Sequence, residues 1–172
     1  MIIKNRLHIK KGHNQKGMTL VELLLYMGLM SILLVVVTDM LVGIANIKLE
    51  SDSVSSVEQD GTYILNRISY DVYRAEAIAM PEVVGSSSGT LELDIGINKY
   101  TYSTSMDNLL LATSDGAYNL NSNRTTISNV SFTKYGVPGG QETIKIMFTV
   151  TSIAEKNSGK ESRNFVTTLG LR

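Results

Sequence analysis

The polarity pattern divides the chain into three stretches. Met1–Gly17 is polar and cationic. From Met18 to Thr38 run 21 residues interrupted by one charge, Glu22, and the 16 from Leu23 to Thr38 carry none. At 1.5 Å per residue, 21 helical residues rise about 32 Å, enough for a hydrocarbon core of about 30 Å. Past Asp39 the pattern turns amphipathic. Val54, Val57, Ile64 or Leu65, Ile68, Val72, Ala75 and Ile78 or Ala79 recur at steps of three or four. Gly61 takes a core position in that stripe, which predicts the close approach of another element. Glu50, Asp52, Glu58, Asp60, Arg67, Asp71, Arg74 and Glu76 fall between the apolar positions, and Pro81 ends the run. The spacing predicts one helix from about Thr19 to Met80, roughly 62 residues or about 93 Å at ideal rise. Asp39 falls near the outer headgroups if Met18 lies at the inner face, and marks a boundary there.

The remainder alternates with a period of two. Gly85-Ser86-Ser87-Ser88-Gly89 reads as a connector. Leu91, Leu93 and Ile95 alternate with Glu92 and Asp94; Gly96-Ile97-Asn98 turns the chain into a strand with Tyr100 and Tyr102. Leu109-Leu110-Leu111 fits a buried strand, and Asp115-Gly116 a turn. Val130 and Phe132 mark a strand that ends in Gly136-Val137-Pro138-Gly139-Gly140. Ile144, Ile146, Phe148 and Val150 pass through Asn157-Ser158-Gly159 to Phe165, Thr167 and Leu169, and these two runs should pair antiparallel. Four to seven strands are expected against the apolar face of the amphipathic helix, an α+β domain.

Composition narrows the chemistry. The chain has no cysteine and two histidines, His8 and His13, both before Gly17. Thiolate metal sites and cysteine nucleophiles are excluded, and past Gly17 so are histidine bases, triads and His-ligated metals. No Gly-x-Ser-x-Gly motif or phosphate loop is present. An enzyme is not expected, nor a cofactor. The formal net charge of zero hides an asymmetry: five of the 16 basic residues lie in the first 17 positions with no acid, leaving 11 basic and 16 acidic side chains beyond. An acidic body argues against nucleic acid as a partner. Basic residues ahead of an apolar run predict an N-inside, C-outside orientation.

A secretory signal or plain signal anchor shares the basic-then-apolar order. Two features fit those poorly. No good small-x-small cleavage site follows the apolar run, and Glu22 lies inside it. An acid at the centre of a membrane helix costs about 2.5–3.5 kcal/mol, less near the interface, and marks function. Cleavage between Gly17 and Met18 would create an α-amine four residues from that carboxylate. In a helical polymer, one subunit's amine could meet the next subunit's Glu22 and set axial register, since an unpaired buried charge costs several kcal/mol.

Lys16-Gly17-Met18-Thr19-Leu20-Val21-Glu22-Leu23-Leu24 behind a basic leader resembles the class III signal of type IV prepilins and type II secretion pseudopilins. The resemblance covers about Lys16 to Ala45, and Met18 stands where phenylalanine is usual. It implies a type IV pilin-like fold: a long N-terminal helix, half in the membrane or filament core, half packed on a C-terminal antiparallel β-sheet head. It also implies cleavage after Gly17 by a prepilin peptidase, N-methylation of Met18, and docking guided by Glu22. The organisation expected is 1–17 leader, 18–47 transmembrane and assembly helix, 48–80 amphipathic helix, 81–172 head. Other pilin or pseudopilin subunits, the peptidase, the inner-membrane assembly platform and membrane lipid are the implied partners. The location implied is a single-pass inner-membrane precursor, then a periplasmic or extracellular filament. Phe165-Val166-Thr167-Thr168-Leu169-Gly170-Leu171-Arg172 is similar to the ending of minor pilins and J-type pseudopilins, which leans toward a minor subunit.

The competing account is an uncleaved, signal-anchored extracytoplasmic binding module. Asp115–Asn123 is rich in oxygen ligands, but its spacing matches no calcium loop and a polar surface loop is expected. Tyr73, Tyr100, Tyr102, Tyr118 and Tyr135 could stack on a ligand, though strand tyrosines more often cover a core edge.

Overall fold

The computed structural model describes residues 17–136, 141–156 and 159–171. Residues 1–16, 137–140, 157–158 and 172, including the expected leader and parts of two expected turns, lie outside the described residues. One helix, α1 (Leu20–Arg74), is followed by nine strands among the described residues: β1 (Ala77–Met80), β2 (Ser87–Ser88), β3 (Leu91–Ile95), β4 (Asn98–Ser105), β5 (Asn108–Thr113), β6 (Gly116–Asn119), β7 (Thr125–Tyr135), β8 (Thr143–Lys156) and β9 (Gly159–Gly170). The chain divides into a unit ending at Gly43 and a unit over Ile44–Arg172.

In the first unit the helix has no protein partner among the described residues. Leu20 to Val42 are exposed at every large apolar position, Leu20 by 75%. The segment is long and apolar enough to cross a membrane, and none of its most apolar window is buried. No break occurs at Asp39 or Gly43, where the helix is continuous.

The second unit is α+β, with helix against antiparallel strands, as the period change predicts. The strands form two sheets, β1-β3-β4-β5-β6 and β2-β7-β8-β9, rather than one. Hairpin register follows the sequence alternation: Leu93 faces Tyr100 across β3–β4, and Phe148 faces Phe165 across β8–β9. A register shift between Ser128 and Ser131 resets the alternation of β7, so that Ile127 and then Phe132 point inward. The polar start of β7 hides its strand character, and Thr125–Asn129 lengthens it beyond expectation.

The expected helix end at Met80 is corrected to Arg74. Ala77–Met80 is an edge strand paired with β3, with Ile78 in the core. Its four residues suit either period, but Met80 precedes proline, which disfavours helical geometry there. Pairing with β3 supplies the backbone partners, including Glu76 N–H to the Asp94 carbonyl at 2.8 Å. The Ser87-Ser88 part of the connector is likewise a short strand against Thr133 and Phe132.

Ser53, Val57, Gly61, Ile64, Ile68 and Val72 form the buried stripe of α1. They meet Leu91, Leu93, Tyr102 and Leu109 of one sheet and Phe132, Ile144, Ile146 and Phe148 of the other in a single core. Gly61 is required where it stands. A Cβ built there would overlap the Phe165 ring, and Phe165 is stacked on Phe148 with centroids 5.4 Å apart. Gly61→Leu should therefore destabilise the head by about 1–3 kcal/mol. In combination with Phe165→Ala the loss should be smaller than the sum of the two single losses, read by chemical denaturation in a double-mutant cycle. Additive losses would mean that the ring does not sit against Gly61.

Candidate functional site

Thr19-Leu20-Val21-Glu22 has the spacing of a helix N-terminal capping box. Thr19 Oγ1 accepts the Glu22 N–H at 3.3 Å, and Leu23 N–H reaches the Thr19 carbonyl at 3.1 Å. Glu22 thus sits in the first turn of α1, where the helix dipole favours a negative charge by roughly 0.3–1 kcal/mol. The cap satisfies the Glu22 backbone N–H, and the carboxylate itself has only the helix dipole as a local offset. Gly17 and Met18 precede the helix and are exposed, Met18 by 59%. A side chain added at Gly17 would meet nothing within 4 Å. All three residues are open to a partner.

The head has polar features of another kind, which sequence periodicity did not reveal. Asp71, assigned by spacing to the polar face, is fully buried. It accepts the Tyr102 O–H, and Arg67 Nε lies 3.1 Å from its Oδ2. Arg67 Nε and Asp71 Oδ1 have no hydrogen-bond partner among the described residues. Burial, with the Asp71 hydrogen bond and charge, pushes the Tyr102 phenol far above its ordinary range. Burial lowers the Arg67 pKa, but the Asp71 charge and Tyr102 outweigh it and the net shift is upward.

Two further clusters tie elements together. Asp60 Oδ2 on α1 accepts Ser122 N–H at 2.9 Å, Ser122 Oγ at 2.7 Å and the Thr125 hydroxyl. Lys134 is buried on β7; its Nζ donates to the Ile78 carbonyl at 3.0 Å and pairs with Glu142 at 2.7 Å, clipping β1 to the other sheet.

The Asp115–Asn123 stretch is corrected from an open loop: Gly116–Asn119 is strand β6. Asn121 turns inward, its Oδ1 accepting Leu109 N–H at 3.0 Å. Among the described residues no group of three or more acidic or histidine side chains is placed to hold a metal. The tyrosines separate by role. Tyr102 is core, whereas Tyr73, Tyr118 and Tyr135 are about half exposed.

Tyr102→Phe should lower the unfolding free energy by about 1–3 kcal/mol, because it removes the O–H that Asp71 accepts. Tyr135→Phe, at an exposed site, should be neutral. The raised phenol pKa means that the folded form keeps its proton. That stabilisation is present below the unfolded phenol pKa of about 10 and is lost as pH rises above it. Denaturation of both variants between pH 7 and 10.5 tests this; equal stabilities at neutral pH would remove the bond from the account.

Residues 12–38 match the family model described as the prokaryotic N-terminal methylation motif. No curated protein matches the chain, and no solved structure does. The match spans the end of the basic leader, Gly17, Met18, the Thr19 cap, Glu22 and the apolar half of the membrane-length helix. The matched residues are those in which the resemblance to the class III signal of type IV pilins and pseudopilins lies, and the motif supports a precursor of that type.

Proposed function

We propose that this chain is a minor subunit of a type IV pilus or a type II secretion pseudopilus, structural rather than catalytic. The observation that carries the reading is the methylation motif over residues 12–38, continuous with an unburied apolar helix that holds one acid, Glu22, in its first turn. In this reading the basic leader holds the precursor N-inside. The prepilin peptidase hydrolyses the Gly17–Met18 bond, and the freed Met18 amine receives a methyl group. The amine then lies one turn from Glu22 at a helix N-terminus, where the dipole disfavours its positive charge. A carboxylate from a neighbouring subunit in the same apolar setting offsets it. Cleavage therefore creates the charge that assembly pairs, and the inner-membrane platform with its ATPase supplies the work. The ending Phe165-x-Thr-Thr supports a minor subunit by resemblance alone.

The intact mass of protein extracted from its own membrane should equal Met18–Arg172 plus one methyl group. Gly17→Ala should leave the full-length species in the membrane. The open space around Gly17 makes that variant a test of the peptidase rather than of folding. A full-length mass in the unmutated protein would favour the uncleaved, signal-anchored binding module.

Glu22→Ala should still be processed but should enter filaments poorly. Co-purification with sheared filaments measures this. Undiminished incorporation would show the carboxylate to be dispensable for docking, the outcome expected of a tip subunit with no neighbour above it.

A further inference from the structure

A cleft of about 290 Å³ opens on the head between α1 and the sheet β4-β5-β6, lined by Tyr63, Arg67, Tyr100, Asp115, Tyr118 and Asn119 among others. Three aromatic rings and three polar side chains converge there. Tyr100 packs against the core and has a structural role. Tyr63 and Tyr118 do not. They are 55% and 53% exposed and lie outside the core. The Tyr118 O–H donates to the Asp115 carbonyl at 3.3 Å, which steadies its ring. Arg67 is held from behind by buried Asp71, and its side chain remains 34% exposed.

We infer that this cleft binds a neutral pyranose, as a free sugar or the exposed residue of a glycan. The charge balance selects this class. The Arg67 cation is already offset by Asp71 at 3.1 Å, and Asp115 adds a second acid at the rim. An anionic ligand would gain no net attraction. A polyhydroxylated neutral ring matches the remaining features: apolar C–H faces for exposed tyrosine rings, and hydroxyls for an arginine donor and for asparagine and aspartate acceptors. The volume is at the lower limit of small-ligand sites, about 300 Å³, and suits one ring rather than a chain. The inference rests on the head alone and is independent of how the N-terminus is processed.

The test is saturation-transfer NMR on the full chain in phosphocholine micelles, a detergent without sugar. The probes are methyl glycosides of glucose, galactose, mannose and N-acetylglucosamine, with galacturonate as the anionic comparison. Saturation should reach the ring protons of at least one neutral glycoside. Tyr63→Ala and Tyr118→Ala should each weaken that binding about tenfold or more without moving the thermal midpoint, and Tyr135→Ala should leave it unchanged. Three results would overturn the inference: no transfer to any neutral glycoside, equal transfer in both cleft variants, or a preference for galacturonate. A photo-reactive phenylalanine analogue in place of Tyr118 gives a separate check. If it traps a second pilin-type subunit in the producing cell's membrane, the cleft is a subunit contact and the sugar assignment fails.

Discussion

The head depends on one stripe of α1, in which each buried position must suit what lies opposite it. At Gly61 that requirement is for nothing at all: the Phe165 ring occupies the space a side chain would take, and Phe148 holds the ring there. The aliphatic positions around it, Val57, Ile64 and Ile68, are fully buried. Fully burying side chains of this size is worth about 1.5–3 kcal/mol each. Isolated helix formation is only marginally favourable, so packing of this kind, rather than propensity, accounts for the order of the second half of α1. Asp60 and Asp71, about three turns apart on the same edge of the stripe, join the helix to β7 and β4 through hydroxyl and amide donors. Apolar contact sets the depth of packing, and these hydrogen bonds set its rotation and axial position.

Much of this was legible in the sequence, and the exceptions have physical reasons. The steps of three and four from Val57 to Val72 gave the buried face because a helix must repeat every 3.6 residues. The alternation in β3, β4 and β8 was equally direct. The missing side chain at Gly61 signalled close approach before any partner for it was known. The end of the helix was less legible. Ala77–Met80 is too short for its period to decide, and its strand character comes from an unpaired edge of β3 far along the chain. The polar beginning of β7 escaped for a similar reason, since its inward residue Thr125 spends its hydroxyl on Asp60. Asp71 was placed by spacing between the apolar positions, yet it is buried, as is Lys134. Their partners, Tyr102 and Glu142, stand on other strands, and no local pattern encodes such pairs.

Phe165 shows how a family-like ending can have a structural origin. The similarity of Phe165-x-Thr-Thr to minor subunits is matched here by a ring wedged over a helix glycine and stacked on a neighbouring strand. The need to fill that space accounts for the phenylalanine within the head itself. The N-terminal signal is different. Exposure of Leu20, Val21, Leu23, Leu24 and every large apolar residue onward to Val42 has no explanation among the described residues of the chain.

That exposure bears directly on Glu22. A bare apolar helix needs lipid or other helices around it, because in water its surface would drive association. In either setting a carboxylate within the apolar run must find a partner or a polar edge. The helix dipole offsets part of its cost, while the Thr19 hydroxyl satisfies only the Glu22 backbone N–H. The dipole would not offset the full cost in the proposed filament, where the segment would lie in a helical bundle away from the headgroups and an unpaired charge costs several kcal/mol. A cationic amine at Met18, present only after cleavage, is the one nearby group of opposite sign that the family's processing would provide. In the proposed assembly the same residue would be tolerated near the headgroups and would require an intermolecular partner in the polymer. Such a difference in cost between the two states would couple processing to assembly.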